Sequence, residues 1–115
     1  MAEGNELYAV ADFCLIPMGT GESSVAHYIA ECQRILEKSG LQFKVRAGYG
    51  TNLEGPWSAV TKAIGDCHAA VHAKGAPRIA TDIRIGTRVD RDIVPGTGNE
   101  GKVARVREIL AKDGL

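Results

Sequence analysis

The sequence predicts an α+β fold in which a four-stranded antiparallel sheet carries two helices on one face, with a further helix at the C-terminal end. Three observations carry that expectation. Residues 7–16 (LYAVADFCLI) are apolar on both alternating faces apart from Asp12, the pattern of a strand covered on both sides. Residues 42–47 and 78–87 alternate apolar and polar, as half-buried strands do. Residues 24–39 and 56–74 repeat apolar side chains at helical spacing and are each followed by a glycine, Gly40 and Gly75, the usual helix stop.

Each element has its own local cause. The first strand offers Leu7, Ala9, Ala11, Phe13 and Leu15 on one face and Tyr8, Val10, Asp12, Cys14 and Ile16 on the other. Residues 17–23 (PMGTGES) form a turn whose Thr20 and Ser23 are helix-capping residue types, leaving N–H groups able to face an anion. The first helix lines up Val25, Tyr28, Ile29, Cys32, Ile35 and Leu36. In the second strand Phe43, Val45 and Ala47 point inward, with Gln42, Lys44 and Arg46 outward. A Gly48–Gly50 turn returns the chain through a short strand at 51–54. Pro56 reads as the first residue of the second helix, where its missing N–H costs nothing. Trp57, Val60, Ile64 and Val71 follow at helical spacing. The last strand separates Ile79, Thr81, Ile83 and Ile85 from Arg78, Ala80, Asp82 and Arg84. Residues 89–101 are turn chemistry throughout and read as a long loop, and about 102–112 as an amphipathic helix bearing Val103, Val106, Ile109 and Leu110. With right-handed crossovers this βαββαβ order is the ferredoxin-like arrangement, with the first and third strands central. A single domain spans 1–115, its core at about 7–88.

Composition excludes several function classes. The chain is 44% apolar and 24% charged, with fourteen basic and fourteen acidic residues, so no net field draws it to nucleic acid or membrane. No run reaches the roughly 20 apolar residues of a membrane span, and MAEGNE lacks the features of a signal peptide. Cys14, Cys32 and Cys67 form no CxxC pair and read as small buried thiols of a reducing compartment, so the expected location is cytoplasmic. His68 and His72 share a helix face, but no third metal ligand accompanies them. No nucleophile–base order is recognisable, and neither metal nor cofactor is expected.

The candidate site lies where the sheet meets the second helix. Glu54 and Trp57 place a carboxylate beside a large aromatic, a pairing suited to a heteroaromatic or cationic ligand. Phase-matching puts Asp82 and Arg84 on the sheet face that the helices leave bare, with Lys44, Arg46 and one face of the first strand. Apolar side chains on such a face call for a cover: either a second copy of the chain or the C-terminal helix folded across. A salt-bridge net of Asp12, Asp82, Arg84 and Arg46 is as well supported by the pattern as a binding role.

Three blocks, Pro17-Met18-Gly19-Thr20, Gly50-Thr51-Asn52-Leu53-Glu54-Gly55-Pro56-Trp57 and Thr81-Asp82-Ile83-Arg84-Ile85-Gly86-Thr87-Arg88, resemble in order and spacing the UPF0045 thiamine-binding-type family, related to the MTH1187 and YkoF proteins. The last block looks most like the fungal members. The resemblance covers about residues 7–90 and leaves residues 89–101 outside. It implies a ferredoxin-like fold, dimers joined through their sheets into a tetramer, and a pocket near subunit boundaries for thiamine or its hydroxymethylpyrimidine part, with no catalytic residues. On that expectation Glu54 orients the pyrimidine amine, Thr51 or Asn52 adds hydrogen bonds, Trp57 or Tyr49 stacks, and a phosphorylated ligand calls on Arg84, Arg88 or the amides following Thr20. The competing expectation is an oligomeric structural or regulatory protein without a small ligand.

Overall fold

The first strand, β1 (Tyr8–Met18), runs through the middle of the sheet and sets its geometry. This is a computed structural model, which describes residues 6–46 and 50–115, and of residues 45 and 46 the backbone alone. Around β1 follow α1 (Ala26–Ser39), β2 (Gln42–Arg46), β3 (Gly50–Pro56), α2 (Trp57–Ala73), β4 (Arg78–Gly86) and α3 (Gly98–Lys112). The sheet order is β2-β3-β1-β4, and all three pairings are antiparallel. This is the α+β arrangement that the periodicities predict.

Ala9, Ala11, Phe13 and Leu15 of β1 and Leu53 of β3 are buried against Tyr28, Cys32 and Leu36 of α1 and Val60, Ile64, Cys67 and Val71 of α2. Leu36, Leu53, Val60, Cys67 and Val71 are fully enclosed. Filling each such apolar side chain into the core contributes about 1.5–3 kcal/mol relative to exposure. Its hydrogen bond with Cys32 first, and burial second, push the Cys67 thiol well above its ordinary range, so it stays a neutral packing group.

Several boundaries move for identifiable reasons. β1 continues through Pro17 to Met18 because its pairing with β3 ends at Phe13, after which only β4 pairs with it; proline is tolerated where one side of a strand is an edge. Pro56 closes β3 opposite Tyr8 rather than opening α2, and Trp57 is the first helical residue. α1 starts at Ala26, after Val25, without a side-chain cap. α3 begins at Gly98, well before 102, which shortens the expected 89–101 loop. Its start is stabilised by a side chain from the sheet, described below. The Gly48–Gly50 turn, Tyr49 and the Arg46 side chain fall outside the described residues or side chains.

Pairing assigns the bare face without ambiguity, since directly opposed residues share a side. Glu54 lies beside Val10, Asn52 beside Asp12, Asp12 beside Arg84 and Cys14 beside Asp82. Gln42 and Lys44 complete these rows opposite Glu54 and Asn52. α3 meets this face at its N-terminal end, where Gly98 packs on Val10 and Glu54. None of its residues is buried, and Val106, Ile109 and Leu110 are exposed. The C-terminal helix therefore does not roof the sheet, and the centre of the bare face stays open.

Candidate functional site

Glu54 is the best-enclosed charged residue of the bare face, at 3% exposure. β3 aims it away from the helices, and the chain returns over it at the start of α3. Its Oε2 accepts the Tyr8 hydroxyl at 2.7 Å and the Gly98 N–H at 2.7 Å, and its Oε1 accepts the Asn99 N–H at 3.0 Å. A buried carboxylate is costly unless it is hydrogen-bonded, and here both oxygens are engaged. The exchange is mutual. The first N–H groups of any helix lack intrahelical partners, Thr97 makes no side-chain cap, and a carboxylate at a helix N-terminus also meets the positive end of the helix dipole. Tyr8 in turn accepts the Gly96 N–H at 2.9 Å. Burial first, and the Glu54 carboxylate second, push the Tyr8 phenol up to about 12.

The close approach demands glycine at position 98. A side-chain carbon there would lie 2.9 Å from Glu54 Oε2 and would collide with Val10.

One step along the strands from Glu54 and Val10, an open depression of about 700 Å³ is lined by Asp12, Cys14, Asn52, Asp82 and Arg84, with Thr51 and Ile83 at its margin. Arg84 Nη2 reaches Asp12 Oδ2 at 2.9 Å, and its Nε donates to Oδ1 at 3.2 Å. The Asp12–Arg84 part of the expected salt-bridge net thus forms, and Asp82 has no ion-pair partner among the described residues; the Arg46 side chain lies outside them. Lys44 reaches forward to Glu100 of α3 at 3.7 Å.

The structure brings together some of the residues singled out from sequence and separates others. Glu54, Asn52, Asp82 and Arg84 share the bare face. Thr51 belongs to the opposite, helix-facing side and is buried at 7% exposure. Trp57 sits at the start of α2, 41% exposed rather than packed in the core, its backbone N–H donating to the Leu7 carbonyl. Thr20 lies beyond Met18, which ends β1 about 26 Å from Val10 at strand rise. Its hydroxyl serves the local turn, pairing with the backbone of Glu22. His68 pairs with Thr81 at 2.6 Å and His72 donates from Nδ1 to the Ala76 carbonyl at 2.8 Å. Tyr8, Gly98 and Asn99 escape the sequence reading because they meet Glu54 only after the sheet register and the return of α3 are set.

A second concavity of about 530 Å³ adjoins Val10 and Gly86, between the loop at 87–94 and α3. Arg88 Nε donates to Asp90 Oδ1 at 2.7 Å, with a second bond from Nη2 to Oδ2. This pairing lowers the Asp90 carboxyl to about 2 and raises Arg88.

Comparison with known proteins bears on the family and the fold. Residues 11–107 match the family described as "Thiamine-binding protein". The match passes beyond the 7–90 span of the sequence resemblance and takes in the 89–101 segment. The UPF0045 protein sll0230 of Synechocystis is 50% identical over 82 residues, 71% of this chain, which spans just under two thirds of that relative at 66%. The UPF0045 protein ECM15 of Eremothecium gossypii is 36% identical over 76% of this chain and 82% of its own length. By overall identity the cyanobacterial protein stands nearer than the fungal one. Among solved structures, the hypothetical protein MJ1052 of Methanocaldococcus jannascii superposes with a TM-score of 0.74 at 27% identity, over 88% of this chain and 97% of its own. A Thermotoga maritima protein (TM0486), named as a candidate for thiamine biosynthesis or salvage, shares the fold with a TM-score of 0.68 at 13% identity, over 86% of this chain and 98% of its own. The chain belongs to the thiamine-binding protein family, the group that includes the UPF0045 proteins.

Proposed function

We propose that this chain is a cytoplasmic, non-enzymatic binder of thiamine or a related hydroxymethylpyrimidine, held on the bare sheet face where a second copy of the chain closes over it. The observation that carries the reading is the open depression in which Asp82, without an ion-pair partner among the described residues, stands beside Asn52 and the Asp12–Arg84 pair. A carboxylate there accepts from a pyrimidine amine and a protonated ring nitrogen, a charge-assisted pair, and it favours a thiazolium cation. The family's description and the name given to the Thermotoga protein support the ligand class. Glu54 enters differently from its neighbours. Its carboxylate holds the start of α3 at the edge of the depression and reaches a ligand only when Gly98 and Asn99 release it. Thr51, Trp57 and Thr20 stand off the bare face, and of the three Thr51 borders the depression.

Calorimetry with thiamine and hydroxymethylpyrimidine tests this. Losing an ionic hydrogen bond costs about 1.5–3 kcal/mol, so Asp82→Asn is expected to weaken binding roughly 10- to 150-fold. No heat from either ligand on the wild-type chain overturns the proposal.

A second reading, assembly without a ligand, is favoured by Val106, Ile109 and Leu110 of α3, which stand exposed in the single chain. Both readings expect an oligomer, a dimer of dimers on the family resemblance, and light scattering across a concentration series checks it. Only the first expects a ligand-induced rise in melting temperature.

A further inference from the structure

We propose that the concavity between the 87–94 loop and the first two turns of α3 is an anion site for the phosphate groups of an organophosphate, so that the ligand of the sheet face is taken in its phosphorylated form. This deepens the function proposed above and rests on it for the organic part of the ligand, not for the anion.

Four cationic residues line the concavity, Arg88, Arg91, Lys102 and Arg105, against two carboxylates, Asp90 and Asp92. Arg88 and Asp90 cancel in their mutual bidentate pair. Arg91, Lys102 and Arg105 have no ion-pair partner among the described residues. Arg91 also acts on Asp90, and Asp92 stands in the same wall. Four cations against two carboxylates leave it net positive, and concave low-dielectric walls concentrate that field on whatever enters. A di- or triphosphate neutralises that excess, and arginine's planar fork suits its oxygens.

Helical spacing is what collects the cations. Gly98, Gly101, Lys102 and Arg105 fall on one stripe of α3, since residues three and four apart are neighbours. This stripe faces the loop, while Val103, Val106 and Leu110 face elsewhere. The helix N-terminus itself is not the anion receptor, because Glu54 already takes its first N–H groups. Gly101 keeps the space open: a side-chain carbon added there meets nothing within 4 Å. The volume, about 530 Å³, is within the range of small-molecule sites.

The concavity also adjoins the proposed ligand site. Its floor includes Val10 and Gly86, which pair with each other. The next same-face pair along β1 and β4 is Asp12 with Arg84, about 7 Å further on. One ligand can therefore place its ring on the bare sheet and its phosphates against Lys102 and Arg105.

The test is calorimetry at low salt with inorganic pyrophosphate, thiamine and thiamine diphosphate. The proteins are the full chain, Gly101→Leu, and the double variant Lys102→Ala with Arg105→Ala, each checked for fold by circular dichroism. Pyrophosphate is expected to bind the wild type and to lose at least tenfold in affinity in both variants. Thiamine diphosphate is expected to bind the wild type at least tenfold more tightly than thiamine, an advantage that disappears in both variants. Absence of pyrophosphate binding to the wild type, or equal binding by the double variant, overturns the anion site. If pyrophosphate behaves as expected while thiamine and thiamine diphosphate show no added affinity from their rings, the anion site stands and the thiamine reading falls.

Discussion

The carboxylate of Glu54 accepts the backbone N–H of Gly98 at 2.7 Å, so a side chain of the third strand caps the C-terminal helix. Truncating it in Glu54→Ala leaves that N–H, the Asn99 N–H and the Tyr8 hydroxyl without their acceptor. Hydrogen bonds to a charged group contribute about 1.5–3 kcal/mol, and a loss of this size is expected in urea unfolding. Amide exchange at Gly98 and Asn99 should accelerate with it. Unchanged protection at both amides would show that α3 is held by something else.

Two glycines three residues apart should respond with opposite signs. Gly98→Ala forces a collision with Val10 and crowds Glu54, whereas Gly101→Ala enters open space. Replacing glycine by alanine inside a helix is worth about 0.5–1 kcal/mol. Gly101→Ala should therefore raise the thermal midpoint slightly, and Gly98→Ala should lower it or detach α3. Equal shifts would contradict the packing described.

Tyr8 supplies a pH signature. Its phenol, pushed up to about 12 in the folded chain, ionises near 10 when unfolded. A group whose folded pKa is raised binds its proton more tightly in the native state. Its contribution to stability is thus complete below pH 10 and is lost as pH rises through about 12. Urea midpoints across that window should fall for the wild type and fall less for Tyr8→Phe, with the tyrosinate absorbance of the folded chain rising one residue short.

Arg84 and Asp12 separate stability from binding. The Arg84 side chain is 87% exposed, and exposed ion pairs contribute about 0–1 kcal/mol. Arg84→Ala should leave the melting temperature within a few degrees while changing thiamine affinity at the adjacent depression. A large loss of stability would mean the pair is covered in an assembly.

The apolar stripe of α3 is testable in the same way. Val106→Glu together with Leu110→Glu adds charge at positions exposed in the single chain, so a monomer should tolerate it. A fall in the mass measured by light scattering would place the stripe in a contact between copies.

Periodicity determined the element order, the sheet with β1 central, and the side on which Asp82 and Arg84 emerge; the face of Asn52 follows only from its pairing with Asp12. A strand's side chains alternate with a period of two, so the apolar set of each strand fixes the direction of its polar set. The tertiary structure alone decided what becomes of Glu54. Tyr8, Gly98 and Asn99 converge on it from opposite ends of the chain, with Gly96 bonded to Tyr8, and no local pattern encodes a contact closed by the return of a distant helix. For the same reason Thr20 and Trp57, neighbours of the site in the sequence blocks, lie away from it: a strand of β1's length carries one block to the far end of the sheet, and the turn into α2 carries the other off the bare face.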